Sequence, residues 1–251
     1  MGRVTWIAHV AAVTALTGAA FATATVDAMA ARVDDRSVPA TGPIVVRAGD
    51  LPGYAVFGPI VDLDTDSYIA CMHGNRLLAS VPSPGPAGTG VPESDRDATL
   101  GTSFVNGAVA TGEERDVASM AWAGTDLRQA RAAFDALASG RYARCVRSRL
   151  ERSDAGPGTP TTITPAQLPG PSLKAQIHGV LLLETVSSDA AGTVLDTTAY
   201  ELTAIRVGRM VALLETDARV AGPPVTLTPF PAAQRVRLIR LLVGRMRREQ
   251  R

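Results

Sequence analysis

Lysine is nearly absent from this chain: Lys174 is the only one among 25 basic residues, the rest being arginine. That imbalance reads first as coding bias and only second as selection for bidentate anion recognition. Acidic and basic residues almost cancel, leaving a net charge of +1, so no global field recruits a polyanion. Aromatics make up 4% of the chain, and none interleave with a basic patch as a nucleic-acid platform would need. No nucleic acid partner is expected. The local signatures of a nucleophilic hydrolase are also missing, since neither G-x-S-x-G nor S-x-x-K occurs. No glycine-rich loop precedes a helix to cradle phosphate. These absences predict a protein without a catalytic motif and without a cofactor.

Hydrophobic residues make up 46% of the chain, enough to build a sizeable core without a structural metal. Met1-Gly2-Arg3 carries one positive charge, and Val4 to Val26 follows without an acidic or basic side chain apart from neutral His9. Small residues then stand at Ala22-Thr23-Ala24 and Ala28-Met29-Ala30, in the A-x-A pattern that signal peptidase accepts. Residues 1–30 therefore read as an export signal, with an uncleaved anchor through residues 4–26 as the alternative. A secreted or extracytoplasmic envelope location follows. No cysteine follows the apolar segment to take a diacyl lipid. Residues 31–43, with mixed charge, Pro39, Gly42 and Pro43, read as a linker, and 44–251 as a single domain. The only two cysteines lie in that domain, and in an oxidising compartment they pair. The expected Cys71–Cys145 bridge closes a loop whose restriction is worth roughly 4 kcal/mol.

Along the domain, Ile44-Val45-Val46 is a β-branched run, Asp50-Leu51-Pro52-Gly53 a turn, and Tyr54–Phe57 resumes extended character. Asp64-Thr65-Asp66 caps a short helix carrying Cys71 and Met72. The Gly- and Pro-rich run from Ser83 to Pro92 reads as a mobile surface loop. Ser103–Thr111 and Asp116–Ala123 form a hairpin across Gly112-Glu113-Glu114-Arg115. Asp126 opens a helix whose apolar positions are Leu127, Ala130, Ala133, Phe134 and Leu137. After Gly140, Tyr142, Cys145, Val146 and Leu150 continue a second helix. Beyond the breaker at 156–160, three strands are expected, Lys174–Val186, Thr193–Val207 and Arg209–Asp217, then Gly222-Pro223-Pro224, and a helix from Pro229 to Glu249. The fold class is α+β, an antiparallel sheet packed against helices, with one disulfide and a long C-terminal helix.

Candidate chemistry is sparse. Asp62, Asp64 and Asp66 imitate the opening of a calcium loop, but Ser67 stands where glycine is needed and His73 where glutamate is needed, so they serve a helix cap better. Cys71-x-His73 resembles half a zinc site, but a disulfide consumes its thiols, and no metal is expected. Glu184, Glu201 and Glu215 fall on predicted strands and form a hydrolase site only if they converge in the fold. On one strand, Gln176, His178, Val180, Leu182, Glu184 and Val186 share a face that fits a groove for a small ligand. The last helix carries Val236, Ile239, Leu242, Val243 and Met246 on one side and Arg237, Arg240, Arg247, Arg248 and Arg251 on another. That face suits either docking on the domain's own sheet or contact with an anionic membrane. No feature calls for self-association, so a monomer is expected.

The order of motifs supplies a further clue. An export signal, Asp50-Leu51-Pro52-Gly53-Tyr54, a cysteine helix, Ser103-Phe104-Val105, Tyr142-Ala143-Arg144-Cys145 and a hairpin at Val207-Gly208-Arg209-Met210-Val211-Ala212-Leu213 follow in turn. Over roughly residues 48 to 245 this resembles the secreted actinobacterial proteins similar to the extracellular sensor domain of mycobacterial serine/threonine kinases, with a PsbP-like α/β fold. The resemblance implies a ligand cleft and no catalysis. The chain departs from the kinase sensors in forming one disulfide where two are typical, and in carrying neither a kinase domain nor a lipid-attachment cysteine. The expected function is an exported binding or sensor-like module for an envelope lipid, glycan or small ligand. The alternatives are a carboxylate hydrolase and an interaction protein using the last helix. Mass spectrometry of the protein from its host's culture fluid should give a mature chain starting at Thr25 or Ala31; a full-length chain confined to the membrane fraction would instead establish an anchor.

Overall fold

Strand β5 (Glu113–Ala123) alternates as any strand does, yet every side chain from Val117 to Ala123 is buried. Val117, Ala121 and Ala123 enter one apolar cluster, while Ala118, Met120 and Trp122 enter another. The sheet is therefore covered on both faces, and its central strands are buried on both sides, with Ser119, Glu201 and Glu215 among the buried polar residues. A computed structural model describes residues 40–59, 70–72, 74–80, 93–94, 98–108, 113–153, 161–168, 170–187, 194–221 and 230–251. The expectations for the export segment, the Asp62–Asp66 run, His73, the Ser83–Pro92 loop, the 156–160 breaker and Gly222-Pro223-Pro224 lie outside those residues.

The sheet is antiparallel throughout, with strands β1 (Ala55–Pro59), β4 (Thr102–Ala108), β5, β9 (Met210–Ala221), β8 (Val194–Val207), β7 (Gln176–Ser187) and β6 (Thr161–Leu168) side by side in that order. The short strands β2 (Glu93–Ser94) and β3 (Ala98–Leu100) pair with each other, and β3 continues onto β5 beside β4. Helices α1 (Leu127–Leu137) and α2 (Gly140–Ser153), with residues 70–72 and 74–80, cover one face. Helix α3 (Ala232–Arg248) and the coil before β1 cover the other. The α+β class, the single disulfide and the long terminal helix are thus present.

Several elements differ from expectation for identifiable reasons. Ile44, Val45 and Val46 are wholly buried but form no strand. They fill the space between the sheet and α3 as coil, because the Val46 N–H donates to Ser119 Oγ at 2.8 Å instead of to a strand neighbour. Glu113, Glu114 and Arg115 belong to β5, not to a turn, since β9 continues their pairing as far as Val220. The region after residue 160 holds four strands where three were expected. The additional one is β6, disguised by Pro165; it lies at the sheet edge, where proline is tolerated. Strand β9 runs on to Ala221, four residues beyond the expected Asp217. Leu127 is 59% exposed, because it is the first residue of α1 and lies outside the stripe formed by Ala130, Ala133, Phe134 and Leu137. The expected cap is observed: the Gln129 N–H donates to Asp126 Oδ1 at 2.8 Å, and this bond holds the Asp126 carboxyl below its ordinary range.

Gly101, between β3 and β4, is the tightest point of the sheet. Its N–H donates to the Ser119 carbonyl at 3.0 Å, and a Cβ there would stand 2.5 Å from that same oxygen. Because the obstruction is backbone, relief requires the strand to move. Gly101→Ala should lower unfolding stability by about 1–3 kcal/mol, read as a shift in the urea midpoint; an unchanged midpoint would show that the strand yields freely.

Candidate functional site

The strand register decides whether the three glutamates can act together. Glu201 pairs with Thr216, whereas Glu215 pairs with Leu202. Directly paired residues share a face and consecutive residues alternate, so Glu201 and Glu215 lie on opposite sides of the sheet. Glu184 occupies the register position opposite Thr198 on β8. The carboxylate trio does not converge. Glu201 is instead spent on structure: Arg235 of α3 donates to Glu201 Oε2 at 2.5 Å, and Thr216 Oγ1 lies 3.2 Å from the same oxygen, all buried. Sequence reading placed Arg235 on neither face of the helix, because a buried arginine at an apolar helix position is visible only once its partner strand is known.

His178 stands opposite Ala204 on the face shared by Val180 and Leu202. The expected groove there is a crevice of about 10 Å³ closed by Leu137, Tyr142, Ala143 and Leu213 from α1, α2 and β9. Such a space admits about one water molecule. The helices that the His178 face needs to bury its apolar floor are what shut it.

A larger concavity lies on the outer side of the same helices. Its volume is about 390 Å³, and its described walls include Met72, Leu78, Ala136 and Tyr142 with both cysteines. The geometry follows from the disulfide. Cys71 and Cys145 are bonded with Cα atoms 5.8 Å apart, which holds the segments 70–72 and 74–80 against α1 and α2. Bonded thiols are also unavailable to a metal. Asn75 shapes the rim, its Oδ1 accepting from the N–H groups of Leu77 and Leu78 at 3.0 and 3.3 Å. Ser139 opens α2: its hydroxyl donates to the Ala136 carbonyl at 2.6 Å and accepts from the Tyr142 N–H at 3.1 Å. Arg141 is exposed at the mouth and forms no ion pair with a described residue. Most of the lining is apolar, and its polar groups gather at the rim.

Tyr142 forms the wall between cavity and core, reaching both spaces. Burial first, and the negative charge of Glu215 second, push its hydroxyl above the ordinary tyrosine range. The ring therefore stays neutral at any physiological pH and presents an apolar surface. The cavity was not identified from sequence, although the signal for it was present: pairing Cys71 with Cys145 already implied that their flanking residues meet.

No family model matches this chain, and no curated protein matches it. Among solved structures, the extracellular domain of PknH from Mycobacterium tuberculosis is distantly similar, with 12% identity and a TM-score of 0.29 over 64% of this chain and 68% of that one. A likeness this slight carries no functional argument. Among the described residues no helix is long and apolar enough to cross a membrane.

The buried Arg235–Glu201 pair predicts non-additive energetics. Arg235→Met alone leaves a carboxylate in the interior and should cost about 3–5 kcal/mol, whereas Arg235→Met with Glu201→Leu should restore most of that loss. Urea unfolding of the single and double variants checks this; additive costs would mean that the two side chains stabilise independently.

Proposed function

We propose that this protein is an exported, non-catalytic binding module that takes a small amphipathic molecule in the cavity beside the Cys71–Cys145 bridge. The carrying observation is the cavity itself. At about 390 Å³ it falls within the usual range of small-molecule sites, roughly 300–1,000 Å³. Met72, Leu78, Ala136 and the Tyr142 ring suit an apolar body, and Arg141 and Asn75 at the rim suit a polar or anionic head. An envelope lipid fragment fits that division better than a glycan, which would require a polar floor to satisfy its hydroxyls. The disulfide favours an oxidising, extracytoplasmic compartment, in keeping with the export-type N-terminus.

The hydrolase alternative draws on Glu184, Glu201 and Glu215 in one cleft, and the placement of Glu201 and Glu215 on opposite sides of the sheet weighs against it. The alternative of an interaction protein required an exposed apolar stripe on the last helix, but Ile239, Leu242, Val243 and Met246 are buried against the sheet.

Ala136→Trp places an indole inside the cavity without touching the sheet. Native mass spectrometry of the host-purified protein should detect a small-molecule adduct that this variant lacks. The anionic apolar dye 1-anilinonaphthalene-8-sulfonate should bind the emptied protein saturably and the variant at least about tenfold more weakly, a loss of about 1.4 kcal/mol. Equal dye binding by both proteins, with no adduct on either, would sink this reading.

A further inference from the structure

The outward face of α3 carries one sign of charge. In the segment from Phe230 to Arg251 the only acidic residue is Glu249, whereas Arg237, Arg240, Arg247, Arg248 and Arg251 are all exposed. At 3.6 residues per turn the four within the helix fall in an arc of about 100° and span about 17 Å of its length. Arg251 follows just past the last turn. The buried side chains Arg235, Leu238, Ile239, Leu242, Val243 and Met246 occupy the opposite arc, so the arginine face looks directly away from the sheet. Gly244 lies between Arg240 and Arg247 along the helix and leaves the surface low there. None of these five arginines forms a salt bridge with a described residue. Lys174 adds to the patch, since Arg247 Nη2 donates to its carbonyl at 3.0 Å and its own side chain is exposed.

The helix dipole accounts for only part of this. Cations in the final turn are stabilised there, which explains Arg247 and Arg248 but not Arg237 and Arg240, nearer the start. Two helical arginines elsewhere face an acid one turn on: Arg131 faces Asp135 on α1, and Arg147 faces Glu151 on α2. In a chain whose net charge is +1, a face without acids is a local segregation of charge. The chain also enters the domain along this helix, because Arg245 and Arg237 hold Val45 and Asp50.

We propose that this face docks on an anionic phospholipid surface. A low, rigid row of guanidiniums matches a plane of phosphates, and arginine bonds phosphate through a two-pronged fork. The apolar stripe stays in the protein core, so contact is electrostatic and peripheral, and it is independent of whatever fills the cavity beside the disulfide.

The test uses the full chain and sedimentation with vesicles of phosphatidylglycerol or of phosphatidylcholine. The side chains of Arg240, Arg248 and Arg251 are exposed and donate no hydrogen bond to a described residue, so they can be exchanged without disturbing the core. The triple variant R240Q/R248Q/R251Q should lose on the order of 100-fold in partitioning onto phosphatidylglycerol, about fivefold per cation. Both proteins should bind phosphatidylcholine equally, which measures any contribution from the apolar N-terminal segment. The triple lysine variant R240K/R248K/R251K should retain most of the binding, separating loss of charge from loss of fold. Wild-type binding should weaken at about 1 M salt, where screening acts within about 3 Å. Equal partitioning of the wild type and the glutamine variant onto phosphatidylglycerol would overturn the proposal. So would retention on soluble heparin without binding to vesicles, which would assign the face to a polyanionic chain instead.

Discussion

Burial of β5, β9 and β8 on both faces is the constraint from which the rest of the structure follows. A sheet with two apolar faces has no stable state until each is covered, and the chain supplies α1 and α2 for one and α3 with the Ile44–Val46 coil for the other. Each covering layer is fixed by a different device. The first is tied by the Cys71–Cys145 bond to residues 70–72 and 74–80, and the second by ionic contacts. Arg245 grips Asp50 through both carboxylate oxygens at 2.8 and 2.9 Å and reaches the Val45 carbonyl at 2.8 Å, while Arg235 meets Glu201 from above the sheet.

Function and architecture divide along the same line. The layer held by the disulfide carries the cavity, because a bridge between a short helical segment and α2 leaves room between them that no side chain of the described residues fills. The layer held by ion pairs is closely packed and offers only its outer surface. A protein built this way can bind a small molecule on one side and meet an extended surface with the other, and neither event needs the sheet to move.

Much of the fold was legible in the sequence because its signals are local. Asp126 as a cap, Gly140 between two helices, and the turn at Gly208, whose φ of 51° suits glycine, each state their role within a few residues. What was not legible depended on neighbours distant in sequence. The Ile44–Val46 run has strand composition, but the available partner is a serine hydroxyl and not a strand. Strand β6 hides behind Pro165, acceptable only because the sheet ends there. Whether the glutamates meet was not legible for a related reason: alternation within one strand can be read from sequence, but which face of a neighbouring strand it matches is set by register, and a single residue separates Glu201 beside Thr216 from Glu215 beside Leu202. The cavity needed no such register, only the consequence of a bond already predicted.

The Arg245–Asp50 contact also bears on the order in which the molecule comes together. It joins residues 195 apart in sequence, so one face of the sheet stays uncovered until α3 is present. Closing such distant contacts is slow compared with forming local helices. A nascent chain of this design cannot close that face of its sheet until α3 has been synthesised, so its compaction waits on a contact far along the sequence.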